Sequence, residues 1–361
     1  MTSHRAHPGS LVLPPPGGPH RVGTQALALV DQARVDPWCA PHRRRLMAQL
    51  WYPAAAGAED VSPVARYLTA ATAEHVLHMW AEEGEVFGPE LRDALAGTRV
   101  HAREGAPPAD GPRPLVLLSP GLGEYRAGLS ALAEELASRG FVVAGVDHPS
   151  DAAAVEFPDG HLVPHREPEF QDDGSASDLE ARYLATRVAD LRFVLDQLLA
   201  PDGAWCELLD SARIGVAGHS LGGAAAAELA RLDSRATAVA VLDGSLFGRV
   251  LSTGLHQPVL LCGLTPPDPA DPDVLAGWDQ LWPRLRGPRR HVTVDGAGHM
   301  SATDFDALAQ PLGLRSPDDP DDVFSFGTLP PGRGIALVRT ALTAFFAEHL
   351  MGLPSSGTAH A

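Results

Sequence analysis

Six runs along the chain are apolar at almost every position: "RPLVLLSPG" (113–121), "GFVVAGVDH" (140–148), "ARIGVAGHS" (212–220), "ATAVAVLDG" (236–244), "QPVLLCGL" (257–264) and "RHVTVDGAGH" (290–299). A strand wetted on one face alternates apolar and polar residues. A strand covered on both faces has no need to, so these runs predict a mostly parallel sheet sandwiched between helices. Between them the period changes. In residues 178–200, Leu184, Val188, Leu191, Leu195 and Leu198 recur at steps of four and three, the single apolar stripe of a helix lying on a sheet. Leu129, Leu132 and Leu136 repeat the pattern, with Gly140 as its stop, and residues 334–352 predict a closing helix. Two earlier runs, "TQALALVD" (24–31) and "RRLMAQLWYP" (44–53), predict an antiparallel pair. Strands alternating with helices define an α/β fold built of right-handed βαβ units, and the sequence carries no internal repeat.

Two stretches interrupt the alternation. Residues 60–112 hold an amphipathic piece, "RYLTAATAEHVLHMWAEE", and then a connector rich in Gly and Pro. A cap over a site and ordinary core packing both suit it. Residues 149–177 are a long polar excursion from a strand end, and ligands of open α/β sheets bind beyond such ends, so this insertion is expected to border the site. Residues 1–20, with "PPPGGP", read as a flexible arm, 21–352 as one domain and 353–361 as a disordered tail.

Composition narrows the field. A net charge of −17 over 361 residues argues against a nucleic-acid partner and against anionic membrane surfaces. The three cysteines, Cys39, Cys206 and Cys262, are widely spaced, so reduced thiols are expected rather than a disulfide framework or a zinc site. No run approaches the roughly 18 apolar residues of a membrane helix, and the opening does not resemble a signal peptide. The expectation is a cytoplasmic protein without stable membrane insertion.

The chemistry centres on "VAGHSLGG" (216–223). Gly218-His219-Ser220-Leu221-Gly222 fits G-x-S-x-G, in which a serine stands on a tight strand-to-helix turn. The bare pattern is weak in a chain with 36 Gly, but here a buried strand precedes it and a small-residue helix follows. Ser220 is therefore the candidate nucleophile, and the Leu221 N–H at the helix start is a candidate oxyanion donor. A second donor is expected from a loop after an earlier strand. "LLSPGLGEYR" (117–126) supplies it, with Leu122 as the donor between Gly121 and Gly123. His299, beyond the last strand, is the candidate base, because the triad order runs serine, acid, histidine. His148 also ends a strand but precedes Ser220. Motif order leaves two acids open: Asp243 at the end of "AVAVLDG", and Asp268 in "GLTPPDPADPD" after the next strand. The acidic run "SPDDPDD" (316–322) lacks the glycine and ligand spacing of a calcium loop and reads as a solvated loop.

With these motifs in order, the chain resembles the bacterial branch of the platelet-activating factor acetylhydrolase-like α/β-hydrolases. The likeness runs from "VGTQALALVD" through "LMAQLWYP", "LLSPGLGEYRAG", "GHSLGGAA" and "VLDGSLFG" to "GHMSATDF". It implies an α/β-hydrolase fold with a cap or lid insertion. It also implies a Ser-His-Asp triad in which Asp243 is the acid and His299 lies just ahead of Asp304-Phe305. One departure is Pro120, where the family often has histidine before Gly-Leu-Gly. The implied activity is hydrolysis of small-molecule carboxylic esters, with short acyl groups or phospholipid-like, and without metal or organic cofactor. An acyltransferase or cyclase on the same triad, a polyester hydrolase, and a ligand-binding protein that has lost catalysis are the alternatives.

Overall fold

A computed structural model describes residues 11–81, 87–166, 176–265, 272–315 and 325–354. Among these the strands are β1 (Val22–Val35), β2 (Arg43–Pro53), β3 (Val64–Arg66), β4 (Arg99–Glu104), β5 (Arg113–Ser119) and β6 (Val142–Asp147). They continue with β7 (Ala154–Glu156), β8 (Leu162–Pro164), β9 (Leu209–His219), β10 (Ala236–Leu242), β11 (Val259–Thr265) and β12 (Arg289–Asp295). Ten form one sheet in the order β12-β11-β10-β9-β5-β6-β2-β1-β4-β3. From β6 to β12 every pairing is parallel, while β2 joins β6, and β1 joins β2, antiparallel. All six runs expected as strands are strands. β12, however, alternates in exposure along its length, because it is the sheet edge rather than an interior strand.

Helices cover both faces. On one, the helices Ser130–Ser138 and Arg333–Met351 close a core containing Leu132, Phe141, Phe345 and Phe346. On the other, Ala176–Leu198 buries Leu184, Val188, Leu191, Leu195 and Leu198 against β5, β6 and the helix Leu221–Leu232, which itself packs on β9 and β10. The last helix is long and apolar enough to pass for a membrane span by composition. Its apolar residues Ile335, Val338, Leu342, Phe345, Phe346 and Leu350 are spent inside this core.

The two insertions contain strands that their patterns hid. In 60–112, β3 and β4 extend the sheet edge, where half-exposed "RVHARE" has no reason to be apolar. The amphipathic piece forms the helix Ala70–Met79, capped by the Thr69 side chain. In 149–177 the hairpin β7–β8 forms, and residues 167–175 lie outside the described ones.

The N-terminal segment differs from expectation. Residues 11–20 are docked, not loose: Leu11 and Leu13 are buried, and the Leu13 N–H donates to Arg99 O at 3.0 Å. Prolines lack an N–H but keep their carbonyl acceptors, and Arg339 donates to Pro14 O (3.3 Å) and Pro15 O (2.7 Å). Residues 1–10 and 355–361, the rest of the expected arm and tail, lie outside the described residues.

Candidate active site

β9 ends at His219, and Ser220 turns the chain into the helix Leu221–Leu232 with φ 51° and ψ −126°. A non-glycine residue held at positive φ costs on the order of 1–3 kcal/mol and persists only where its surroundings enforce it. Enforcement is visible here: the Ser220 N–H donates to Leu242 O at 2.9 Å, and the Gly223 N–H donates to Ser220 O at 2.8 Å. The motif's glycines are steric necessities. A Cβ on Gly218 would stand 2.1 Å from the Gly222 carbonyl, and one on Gly222 would stand 2.1 Å from Ser119 O. Removing both methyls lets the helix start press against the end of β5, where the Pro120–Gly123 loop begins.

That loop has one amide to spare. Gly121 N–H donates to Glu124 Oε2 (2.6 Å), Gly123 N–H to Asp151 O (3.0 Å) and Glu124 N–H to Gly121 O (3.2 Å). Pro120 has none, so among the described residues Leu122 is the loop's amide without an intramolecular acceptor. Leu221 opens its helix, where backbone donors lack intrahelical acceptors. Of the two residues expected to supply oxyanion donors, Leu221 directly follows Ser220 and Leu122 lines the same cavity as Ser220.

His299 begins a short turn after β12, and its Nδ1 lies 2.8 Å from Asp243 Oδ2. Asp243 stands at the end of β10 with φ 48°, its other carboxylate oxygen accepting the Leu264 N–H at 2.7 Å. Of the two acids left open by motif order, the one beside His299 is Asp243. Asp268 lies outside the described residues, as does the acidic run 316–322. Neighbouring Cys262, whose carbonyl accepts the Asp243 N–H at 2.8 Å, has a thiol pushed up to about 12 by burial and by that carboxylate. The three cysteines are all free.

Ser220 and His299 open into one cavity of about 200 Å³ with Leu122, Met79, Trp80, Tyr125, Met300 and Phe305 in its walls. The roof belongs to the 60–112 insertion, through Val76, Met79 and Trp80, and Trp80 stacks on Phe305 at 4.7 Å. Ala73, Val76 and Leu77 of the same helix are core residues, so the insertion both caps the site and packs. Ala153, from the polar excursion, also lines the cavity. A larger space of about 350 Å³ lies beyond Tyr125 and Ala154, but neither Ser220 nor His299 reaches it.

"GHMSATDF" is held by its own polar residues. Asp304 accepts the N–H groups of Ser130 (3.2 Å) and Ala131 (2.9 Å), starting the helix that follows the Pro120–Gly123 loop. Ser301 Oγ donates to Asp306 Oδ1 at 3.0 Å, fixing the turn of His299.

Beneath the loop lies a buried polar network that motif reading passed over. Arg187, 1% exposed, donates to Asp151 through both Nε (2.6 Å) and Nη2 (2.5 Å), to Gly121 O at 2.9 Å, and to Pro120 O. Asp190 of the same helix accepts from Arg44 Nη2 (2.7 Å) and pairs with His148 Nδ1 (3.0 Å). His148 Nε2 in turn meets Ser119 Oγ at 3.0 Å. Ser119, His148 and Asp190 thus form a second Ser-His-Asp row, but all three are buried and line no cavity with Ser220. Burial, and after it the Arg187 charge, hold His148 below its ordinary value. The row supports the loop. The available signal was two charges, Arg187 and Asp190, beside the apolar stripe of a helix.

Comparison with known proteins places the chain among esterases. A family profile described as "Platelet-activating factor acetylhydrolase, isoform II" matches residues 6–169. A "Probable 1-alkyl-2-acetylglycerophosphocholine esterase" of Arthroderma benhamiae is 27% identical over 96% of this chain and 90% of its own length. A platelet-activating factor acetylhydrolase of Cavia porcellus is 27% identical over 48% of this chain and 45% of its own. Among solved structures, a ferulic acid esterase from Streptomyces cinnamoneus is 39% identical, covers 96% of this chain and 95% of its own, and superposes with a TM-score of 0.82. The molecule is an α/β-hydrolase that cleaves carboxylic esters. It belongs to the platelet-activating factor acetylhydrolase-like family.

Proposed function

We propose that the protein hydrolyses esters of small acyl groups through an acyl-enzyme on Ser220. His299 takes the Ser220 Oγ proton as that oxygen attacks the ester carbonyl, and returns it to the leaving alcohol. Asp243 holds Nδ1–H and stabilises the imidazolium. The N–H groups of Leu122 and Leu221 receive the oxyanion of both tetrahedral intermediates. Water then enters in place of the alcohol and attacks the acyl carbonyl as His299 takes its proton; the Ser220 Oγ–acyl bond breaks, His299 returns that proton to Oγ, and the acid leaves. The observation that carries this reading is the 2.8 Å contact of His299 Nδ1 with Asp243, in a residue that shares a cavity with the strained Ser220.

Acyl size follows from volume. Drug-sized ligands occupy about 300–1,000 Å³, and the space beside Ser220 is about 200 Å³. An acetyl or butyryl group fits, and so would the acetyl ester of a phospholipid-like substrate whose bulk stays outside. The Trp80 and Phe305 walls favour a second reading, a single-ring aromatic acyl group, in line with the name of the Streptomyces relative. Assay of p-nitrophenyl acetate, butyrate and decanoate beside methyl ferulate checks both. Decanoate is expected at least about tenfold below butyrate in kcat/KM, with Trp80→Ala narrowing the gap. A wild-type preference for decanoate would refute the size argument.

A further inference from the structure

Two polar residues beside the site, buried His219 and largely covered Glu124, have no part in the reaction just described. His219, the residue before Ser220, has a side chain with no exposure, and Glu124 of the oxyanion loop lies against it. His219 Nε2 is 2.8 Å from the backbone carbonyl of His299, which can only accept, so Nε2 carries a proton. His219 Nδ1 is 2.6 Å from Glu124 Oε1, and the other oxygen of that carboxylate accepts the Gly121 N–H at 2.6 Å. The bonds form one chain, from the Gly121 amide through Glu124 and His219 to the carbonyl of His299. The rings of His219 and His299 lie 4.5 Å apart at 43°.

We propose that Glu124 and His219 are positioning residues that fix the oxyanion loop and His299 relative to each other on either side of Ser220. The proposal rests on the roles given above to Ser220, His299 and Leu122. Leu122 follows Gly121 directly, so the amide gripped by Glu124 sets where the oxyanion donor points. The carbonyl gripped by His219 belongs to the residue whose imidazole moves the proton. β5 and β9 pair as far as Ser119 and Gly218, where the ladder ends, and the Glu124–His219 bond ties the loop to the strand end one step beyond it.

The charge state supports the pairing. Burial disfavours both ions, yet the Glu124 carboxylate raises His219 above its ordinary value. Burial alone would likewise raise Glu124, but His219 and the Gly121 N–H hold it below the usual range. Asp243 and His299 also act on this pair, and Tyr125 faces the Glu124 charge.

Misplacement of a reacting group by about 1 Å can cost about 10² in rate. His219→Phe keeps a ring but removes both bonds. Because it strands the Glu124 charge and could fail to fold, the double variant His219→Phe/Glu124→Leu, which buries no lone charge, is measured beside it. Either is expected to lower kcat about 10²-fold with KM changed less than about threefold. Affinity for a trifluoromethyl ketone, which becomes an oxyanion adduct on the nucleophile, should fall in parallel with kcat/KM. Glu124→Gln can keep every bond in neutral form: its amide donates to Nδ1 and its carbonyl accepts from Gly121. It should retain kcat within about fivefold, whereas Glu124→Leu should not. Ser220→Ala serves as the control. If it stayed active, the reading of the site would fail. If Ser220→Ala is dead but the double variant keeps at least a third of wild-type kcat, or Glu124→Gln is no better than Glu124→Leu, the positioning role alone is overturned.

Discussion

Asp243→Asn changes one atom in the site, and its effect can be worked from two distances. Asp243 Oδ1 accepts the Leu264 N–H at 2.7 Å, so an asparagine at this position must keep its oxygen there, or two donors would face each other. Its NH₂ group then points at His299 Nδ1, 2.8 Å away in the native protein. A donor at that point requires a lone pair on Nδ1, which moves the ring proton to Nε2. The nitrogen that should take the Ser220 proton is then already occupied. Loss of the correct tautomer in a serine triad costs about 10³–10⁴ in kcat, or about 4–5.5 kcal/mol of transition-state stabilisation. The variant should fold, since shape and the Leu264 bond are kept. Steady-state kinetics on p-nitrophenyl acetate, with thermal unfolding as the fold check, decides the matter. A well-folded Asp243→Asn within about tenfold of wild-type kcat would refute the tautomer argument, and a crippling Asp268→Asn would relocate the acid.

Arg187→Met should lower thermal stability, because it leaves the Asp151 carboxylate, 2% exposed, without its cation. Breaking a buried pair costs about 3–5 kcal/mol; an unchanged Tm would contradict the network's role under the loop. The Glu124–His219 pair should make stability depend on pH. Glu124, lowered from 4.5, contributes fully above that pH and loses its contribution as pH falls through its folded value. His219, raised from 6.5, contributes fully below that pH and loses its contribution as pH rises through its folded value. The stability gap between wild type and Glu124→Gln should therefore be largest at about pH 4.5–6.5 and shrink on both sides; denaturant melts showing a gap flat with pH would refute the ion pair.

What could be read from the sequence was whatever the parallel sheet imposes on composition. Strands buried on both faces must be apolar throughout, so β5, β6, β9, β10 and β11 announced themselves, and Gly218 and Gly222 marked the turn between them. Ser220, His299 and the Pro120–Gly123 loop could be singled out as candidates from their places at strand ends. Edge and hairpin strands carry no such constraint: β3, β4, β7 and β8 are short and partly wet, and nothing local distinguishes them from loop. The docking of residues 11–20 depends on Arg339, more than 300 positions away, and no local pattern encodes it. Arg187, Asp190, Glu124 and His219 were hidden for another reason. Charged and imidazole side chains are expected in water, and only tertiary contact reveals that these are buried and paired. The choice of Asp243 over Asp268 came from resemblance, since in the sequence each carboxylate follows an apolar strand run and motif order leaves both open.

Whether Ser220 is the nucleophile can be asked covalently. Wild-type protein treated with a fluorophosphonate should gain one adduct per chain, lose its esterase activity in proportion, and yield on proteolysis a single modified peptide carrying Ser220. Ser220→Ala, folded as judged by its melting curve, should take up no label and retain less than about 10⁻³ of wild-type kcat. Labelling that persists in Ser220→Ala, or an adduct mapped to another serine in the active wild type, would contradict the assignment of the nucleophile and the mechanism built on it.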